Sequence, residues 1–172
     1  MRFIAFIFMV TFSFLNANPF KQIKTFQADF IQSIVNNSNK EIKYSGKIYI
    51  KEPYLVLWRY DDPQKDVYIN NQLVTIVEPE LEQAIITKLK NEINMVKLLQ
   101  DATKVSKDIY QTELYNIVYT IKLEDRKLKS INYKDELENQ VKISFLNSIE
   151  NQDIQNSTFE ANIPNDYDII RK

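Results

Sequence analysis

The side chains that could carry out chemistry in this sequence are almost all carboxylates. The 172 residues include no histidine, no cysteine and one glycine, Gly46. Without histidine or cysteine there is no thiol nucleophile, no Ser–His–Asp triad, no disulfide and no expected zinc site. Glycine-rich loops that bind phosphate need several glycines, so neither a GxGxxG loop nor a Walker A loop is possible. The composition therefore excludes most common enzyme classes, and we expect no cofactor and no bound metal.

The carboxylates themselves form two groups beside prolines. Glu78, Glu80 and Glu82 surround Pro79, and a pair of aspartates precedes Pro63. Two carboxyl groups at a suitable separation can hydrolyse a glycosidic bond. Charged residues beside turn prolines are also typical of solvated loops. A secreted hydrolase that works through carboxylates therefore stays open as an alternative function.

The first seventeen residues have the layout of an export signal. Arg2 supplies an early positive charge, residues 3–15 are almost entirely apolar, and Ala17 is a small residue ahead of Asn18 and Pro19. This arrangement is typical of a secretory signal peptide that is cleaved after Ala17. A membrane anchor is the alternative, but the apolar stretch is shorter than the roughly 20 residues that span a bilayer. We expect residues 18–172 to form a single domain.

Alternating apolar and polar residues dominate the remainder of the chain, which predicts β-strands. Phe26, Ala28 and Phe30 share one face of a strand, and Val141, Ile143 and Phe145 share one face of another. Asn and Asp replace Gly at the predicted turns, since both tolerate left-handed backbone. The pattern predicts a mainly β (α+β) protein, with an antiparallel sheet of about ten strands.

Two segments depart from strand periodicity. Residues 18–24 are predicted to form a short helical turn that begins at Pro19. Residues 91–102 are predicted to form a helix, because apolar residues recur at helical spacing, with Asn91 as its cap. The apolar residues at this spacing are Leu89, which lies just ahead of the segment, and Ile93, Val96 and Leu99 within it.

The segment from Tyr54 to Tyr60 is apolar on both faces of its predicted strand. The strand is either buried on both sides or lines an apolar cavity with one side, and periodicity does not separate the two. The net charge of −1 gives no indication of nucleic acid as a partner. The residues alone thus predict a secreted, non-enzymatic β protein that binds or carries a ligand.

Several blocks of the sequence are similar, in order, to the blocks of one known family. Residues 26–32, Phe-Gln-Ala-Asp-Phe-Ile-Gln, are similar to that family's opening strand. The series from Gly46 to Pro53, followed by Trp58 and Pro63, is similar to its second block, and Val77-Glu-Pro79 up to Gln83 and the ending Ile163-Pro164 follow in order. Together these blocks resemble the LolA family of periplasmic lipoprotein carriers.

This resemblance implies a curved antiparallel sheet that forms an incomplete barrel, closed by a small helical lid. It implies a periplasmic, monomeric carrier of triacylated lipoproteins in a Gram-negative bacterium. An inner-membrane ABC transporter would load it, and an outer-membrane receptor would unload it. Apolar residues on the concave face would bind the acyl chains, because each buried methylene is worth roughly 0.8 kcal/mol.

The resemblance also assigns roles to particular residues, and ordinary core packing is the alternative for each of them. The family has an Arg ahead of its Pro that hydrogen-bonds the lid to the sheet, and Glu52 stands in that place. A carboxylate accepts hydrogen bonds where a guanidinium donates them. Glu52 is therefore a candidate latch of a different kind, with Lys88 or Lys97 as a hypothetical partner. The candidate cavity residues are Phe26, Phe30, Ile48, Ile50, Val56 and Trp58, and the candidate lid residues are Met95, Leu98 and Leu99.

Two further alternatives share the fold. The outer-membrane receptor of the same pathway is itself a lipoprotein and needs an acylated cysteine, which is absent from this sequence. A regulatory domain that senses lipids or lipoproteins, rather than moving them, also stays open.

Overall fold

The computed structural model describes residues 18–89 and 94–172, and the predicted signal peptide lies outside them. The described residues form twelve strands, one short α-helix and three 3-10 turns. The sequence predicted about ten strands, and the additional ones are short strands at the two ends of the sheet. The strands are β1 Thr25–Val35, β2 Glu41–Lys51, β3 Leu55–Tyr60, β4 Lys65–Asn70, β5 Leu73–Glu78, β6 Gln83–Lys88, β7 Thr103–Ser106, β8 Ile109–Leu114, β9 Ile117–Glu124, β10 Lys127–Lys134, β11 Gln140–Glu150 and β12 Asp168–Arg171. The helix α1 is Met95–Gln100, and the 3-10 turns are Pro19–Gln22, Pro79–Leu81 and Asn156–Phe159.

All twelve strands belong to one sheet, in the order β12-β6-β5-β4-β3-β2-β1-β11-β10-β9-β8-β7. Neighbouring strands are antiparallel except for β12, which pairs with β6 in parallel. The two edge strands, β12 and β7, do not pair with each other, so the sheet is not closed into a barrel. The prediction of a mainly β protein with an open antiparallel sheet is confirmed.

The sheet curls strongly, as packing across its concave face demonstrates. Helix α1 contacts both β2 and β8, although four strands separate these two in the sheet. Tyr60 of β3 and Tyr133 of β10 are close enough to interact electrostatically, although three strands separate β3 from β10 in the sheet. Irregular register within β1, β10 and β7 indicates β-bulges, which increase local twist.

Gly46 is at a point of β2 where no side chain fits. A Cβ atom there would lie 1.9 Å from the carbonyl oxygen of Arg59 on the neighbouring strand. Phe30 and Tyr60 flank Gly46 on the two adjacent strands. The rings of these two residues meet over the glycine, with centroids 5.2 Å apart. The single glycine of the sequence is therefore explained by close packing inside the sheet.

The polar turns predicted from the sequence are built by local hydrogen bonds and left-handed backbone. Asn36 Oδ1 accepts bonds from the backbone N–H groups of Ser38 and Lys40. Asn39, Asn71 and several other turn residues have positive φ angles, as predicted for turns without glycine.

A second, smaller hydrophobic cluster lies on the convex face. Leu57 of β3 is completely buried beneath Ile154 and Phe159 of the C-terminal segment. Lys51 Nζ donates a 2.6 Å hydrogen bond to the carbonyl oxygen of Ile154 and fastens this segment to β2. Strand β3 is therefore covered on both faces, which answers the question that its apolar sequence left open.

Helix α1 is shorter in the described residues than the sequence predicted. Its N-cap is Asn94, whose Oδ1 accepts a 2.8 Å bond from the backbone N–H of Lys97. Asn91 and Ile93, which the prediction included, lie outside the described residues. The periodicity was right about Val96 and Leu99, since both are buried. Among the described residues, no helix is long and apolar enough to cross a bilayer.

Candidate functional site

The six side chains predicted to line a cavity lie together on the concave face. In the register of the sheet, Phe26 pairs with Ile50 and Ile50 pairs with Val56. Ile48 pairs with Trp58 in the same way, so these residues form rows across β1, β2 and β3. Five of the six are no more than 4% exposed, and Trp58 is half-buried. Alternation along each strand is what brings them to one face.

Aromatic rings occupy the middle of this face. The ring of Phe30 packs edge-on against the ring of Trp58, with centroids 4.9 Å apart. Trp58 in turn stacks on Tyr60 at 6.3 Å. Phe26 packs edge-on against Phe145 of β11 at 5.4 Å. Such pairs contribute free energy beyond that of the area that they bury, and they prefer particular ring orientations. The rings therefore fix the shape of the apolar surface.

Helix α1, the candidate lid, lies over this surface. Val96, Leu98 and Leu99 are buried in the same cluster as Phe30 and Ile48. Met95 packs against the cluster but keeps part of its side chain exposed. All three candidate lid residues therefore contact the predicted cavity cluster, and in this structure the side chains of α1 cover that part of the concave face.

The lid is held to the first 3-10 turn by side-chain amides that the sequence analysis did not single out. Asn18 Nδ2 donates to the carbonyl oxygens of Gln100 and Ala102, both at 2.8 Å, and of Leu99 at 3.3 Å. Gln100 Nε2 donates to the carbonyl oxygen of Ile23 at 3.2 Å. An Asn ahead of a Pro is a recognisable start of a helical turn, but its bonds to residues 80 positions away have no sequence signal.

Glu52, the candidate latch, is exposed in the turn between β2 and β3. Its backbone N–H donates a 2.8 Å bond to the carbonyl oxygen of Lys24. The hypothetical partner Lys97 forms an ion pair with Asp101 on its own helix instead. Within the described ranges no hydrogen bond or ion pair joins Glu52 to Lys88 or Lys97, so the closed lid does not depend on that pairing.

The end of the concave face away from Ile50 and Val56, called here its far end, is lined by tyrosines. Tyr119 and Tyr133 pack with ring centroids 5.0 Å apart, and Tyr44 packs edge-on against Tyr60 at 5.9 Å. Burial raises the pKa of Tyr60 to about 12, and burial together with Tyr119 raises the pKa of Tyr133 to about 12. Both phenols are therefore neutral at physiological pH. The Nζ of Lys65 lies 4.7 Å above the ring of Tyr60, a cation–π contact at the edge of this end.

A pocket of about 210 Å³ opens between α1 and β8. Leu98 and Leu114 provide its apolar wall, and Asn94, Lys97 and Asp101 are among the polar residues at its mouth. This volume is below the roughly 300–1,000 Å³ of typical ligand pockets. A larger groove, of about 550 Å³, lies on the outer face and is lined by valines such as Val35 and Val118 together with polar residues such as Ser33 and Asn132. A bulky apolar ligand that binds on the concave face would require α1 to move away from the sheet.

The carboxylates considered for catalysis form local hydrogen bonds near turns or are exposed to solvent. Glu78 accepts a 2.6 Å bond from Gln83 Nε2, and Asp61 accepts a 2.9 Å bond from Ser45 Oγ. Glu80 and Glu82 are exposed. No group of three potential metal ligands occurs among residues 18–89 and 94–172.

Comparison with known proteins identifies the family. Residues 21–119 match the family described as outer membrane lipoprotein carrier protein LolA. A protein of Campylobacter jejuni named outer-membrane lipoprotein carrier protein is 42% identical over 148 residues, which cover 86% of each chain. A protein of the same name from Wolinella succinogenes is 33% identical over 165 residues, covering 95% of this chain and 96% of that one. This chain belongs to the LolA family.

Solved structures agree with a LolA fold. A LolA superfamily protein from Nitrosomonas europaea aligns with a TM-score of 0.55 and 10% identity, over 84% of this chain and 94% of that chain. A conserved protein from Thermus thermophilus aligns with a TM-score of 0.54 and 10% identity, over 92% and 96%. Proteins of the LolA family are carriers and not enzymes, so the carboxylate hydrolase is set aside.

Proposed function

We propose that this protein carries lipoproteins through the periplasm, from the inner membrane towards the outer membrane. The observation that carries the proposal is an apolar concave face, covered by one short helix, in a chain that belongs to the LolA family. In this proposal the acyl chains of the cargo bind where Val96, Leu98 and Leu99 lie in this structure. Phe26, Phe30, Ile48, Ile50, Val56 and Trp58 form the surface that they contact.

The exchange of lid side chains for acyl chains makes such binding reversible. Each buried Val or Leu side chain contributes roughly 1.5–3 kcal/mol, and each methylene of an acyl chain roughly 0.8 kcal/mol. Cargo that displaces α1 therefore gains only the difference between the acyl contacts and the lid contacts that it replaces. The acyl chains also exchange one apolar environment, the bilayer, for another, so release to a membrane needs no energy source.

The partners follow from the same proposal. Triacylated lipoproteins are the cargo, an inner-membrane ABC transporter loads the carrier, and an outer-membrane receptor removes the cargo. The absence of cysteine from this sequence favours a carrier over a receptor that is anchored by an acylated cysteine. We also propose that residues 1–17 are removed on export, so that protein isolated from the periplasm begins at Asn18 on N-terminal sequencing.

A transfer assay tests the carrier function. Purified protein is loaded with a triacylated lipoprotein and mixed with membranes that contain or lack the receptor. We expect a soluble complex that gives up its cargo to receptor-bearing membranes only. A protein that binds lipoprotein but never releases it would favour the lipoprotein-sensing alternative. Lipoprotein that stays in the membrane from which the protein should be loaded would contradict both the carrier and the sensing functions.

Trp58 offers a direct test of the binding surface, because it is the only tryptophan of the chain. Trp58→Glu should weaken the binding of an apolar dye by about tenfold or more, since a charged carboxylate would then face the dye on the apolar surface. The matched control is Ile31→Glu on β1, because Ile31 is 45% exposed on the outer face. Far-ultraviolet circular dichroism establishes that both variants are folded. Equal dye binding by the two folded variants would place the binding surface elsewhere.

A further inference from the structure

Asn18 makes bonds in two directions from one side chain. Its Oδ1 accepts a 2.8 Å bond from the backbone N–H of Phe20, as the cap of the first 3-10 turn. Because an oxygen must face that N–H, the amide nitrogen must face the other way. On that side lie the carbonyl oxygens of Leu99, Gln100 and Ala102. The orientation of the side chain is thus determined by its partners.

The carbonyls of Leu99 and Gln100 belong to the last turn of α1, and that of Ala102 lies two residues beyond the helix. The last carbonyls of a helix have no i+4 partner, and here the Leu99 oxygen also accepts a 3.2 Å bond from the backbone N–H of Ala102. The side chain of Asn18 is half-buried, so these oxygens have limited access to water. Next to them, Phe20 is buried and its ring packs edge-on against Tyr110 of β8 at 5.4 Å. The turn that presents Asn18 therefore contacts both the sheet, through Tyr110, and the lid.

We propose that Asn18 is the positioning residue that latches α1 over the concave face, in the role that Glu52 was expected to have. The latch acts by donating hydrogen bonds to the C-terminal carbonyls of the lid, and it must open before acyl chains can enter. This inference rests on the proposed carrier function for its purpose, but its geometry and first test do not depend on cargo.

The strength of the latch suits a lid that opens often. A single hydrogen bond changes an equilibrium by roughly 2- to 10-fold in a folded protein. Two bonds at 2.8 Å and a weaker third would hold the lid closed by about 10- to 100-fold. Loss of the donor would therefore raise the open fraction by that factor without unfolding the sheet.

Asn18→Asp is the decisive variant because it is nearly isosteric. The new carboxylate still accepts the bond from the N–H of Phe20, so the 3-10 turn keeps its cap. It also directs an acceptor oxygen at carbonyl oxygens, which can only accept, in place of the donor that bonds Gln100 and Ala102 at 2.8 Å. In hydrogen exchange, we expect the amides of Leu98 and Asp101 to exchange about 10- to 100-fold faster, while the amides of β1 and β11 keep their rates.

Asn94→Ala is the matched control. It removes the cap at the other end of the same helix and leaves the latch donor in place. An apolar dye that enters under the lid should bind faster to Asn18→Asp than to Asn94→Ala, if both variants are folded. Asn18→Ala, which removes donor and cap together, provides the same comparison should the aspartate variant misfold.

The outcomes separate the two proposals. Wild-type exchange rates at Leu98 and Asp101 in Asn18→Asp, or dye entry into the folded Asn18→Asp variant at the wild-type rate, would overturn the latch. A looser lid in Asn18→Asp, in a protein whose wild type never binds triacylated lipoprotein, would support the latch and contradict the carrier function. Faster exchange together with faster loading of lipoprotein would support both.

Discussion

At the scale of single residues, the function of the concave face depends on which side chains are absent as much as on those present. The rings of Phe30 and Tyr60 meet beside Gly46. Because Gly46 has no Cβ atom, its backbone can also approach the carbonyl oxygen of Arg59 closely. Asn18 is the polar counterpart, because one side chain closes the lid and caps a turn.

Gly46→Ala should lower the free energy of unfolding by about 3 kcal/mol, because the methyl group would have to displace the backbone of β3. Urea denaturation followed by circular dichroism measures the change. Ser45→Ala is the control on the same strand, where the side chain is exposed and bonded only to Asp61, and we expect a loss below about 1 kcal/mol. Equal losses for the two variants would mean that Gly46 is not closely packed.

At the scale of elements, the lid and the sheet differ in what holds them. A helix of six residues is marginal in water and depends on its packing. Strands β1, β2 and β11 each span eleven residues and pair along much of their length. We therefore expect the lid to open before the sheet, as reversible binding requires.

In the wild-type protein, the amides of α1 should exchange with solvent by local opening, at denaturant concentrations that leave the central strands protected. Hydrogen exchange with mass spectrometry in increasing urea measures this difference. Coincident exchange of α1 and β1 at every urea concentration would show that lid and sheet unfold together.

The C-terminal segment is a second element with a separable role. Phe159→Ala should cost about 3 kcal/mol of stability, because its ring covers Leu57 on the convex face. Dye binding per folded molecule should stay at the wild-type value, since the concave face is untouched. A matching loss of dye binding in the folded variant would contradict the separation of the two faces.

At the scale of the whole molecule, the ion pairs among the described residues are mostly exposed, such as Lys47 with Asp29 and Lys134 with Glu138. Surface pairs of this kind add little to stability. The larger pH effect comes from tyrosines at the far end of the concave face. Tyr60 and Tyr133 have pKa values raised to about 12, mainly by burial, against about 10 in the unfolded chain.

A raised pKa means that the folded state favours the neutral phenol. This stabilisation is complete below about pH 10 and is lost as the pH rises towards 12. The melting temperature should therefore fall between these limits, and Tyr133→Phe should reduce the fall because it removes one ionisable group. Thermal melts followed from pH 7 to 12 measure the effect. An identical alkaline fall in Tyr133→Phe would contradict the burial of this phenol.

The sequence by itself determined the strands, the polar turns and the faces of the site residues. Alternation with a period of two is a local property, so Phe26, Phe30 and Ile48 could be assigned to one face from their positions alone. The blocks from Phe26 to Gln83 also sufficed to indicate the family. The length of α1 within the described residues, its cap at Asn94 and the number of strands differed from the prediction, since short elements at edges have weak periodicity.

Only the tertiary structure decided how the sheet closes upon itself and what holds the lid. The curl brings β2 and β8 to the same helix, and it sums small twists that no single strand encodes. The bonds of Asn18 to Gln100 and Ala102 span more than 80 residues. A hydrogen bond between a side chain and a distant carbonyl depends on the folded path of the backbone, because every residue offers the same carbonyl.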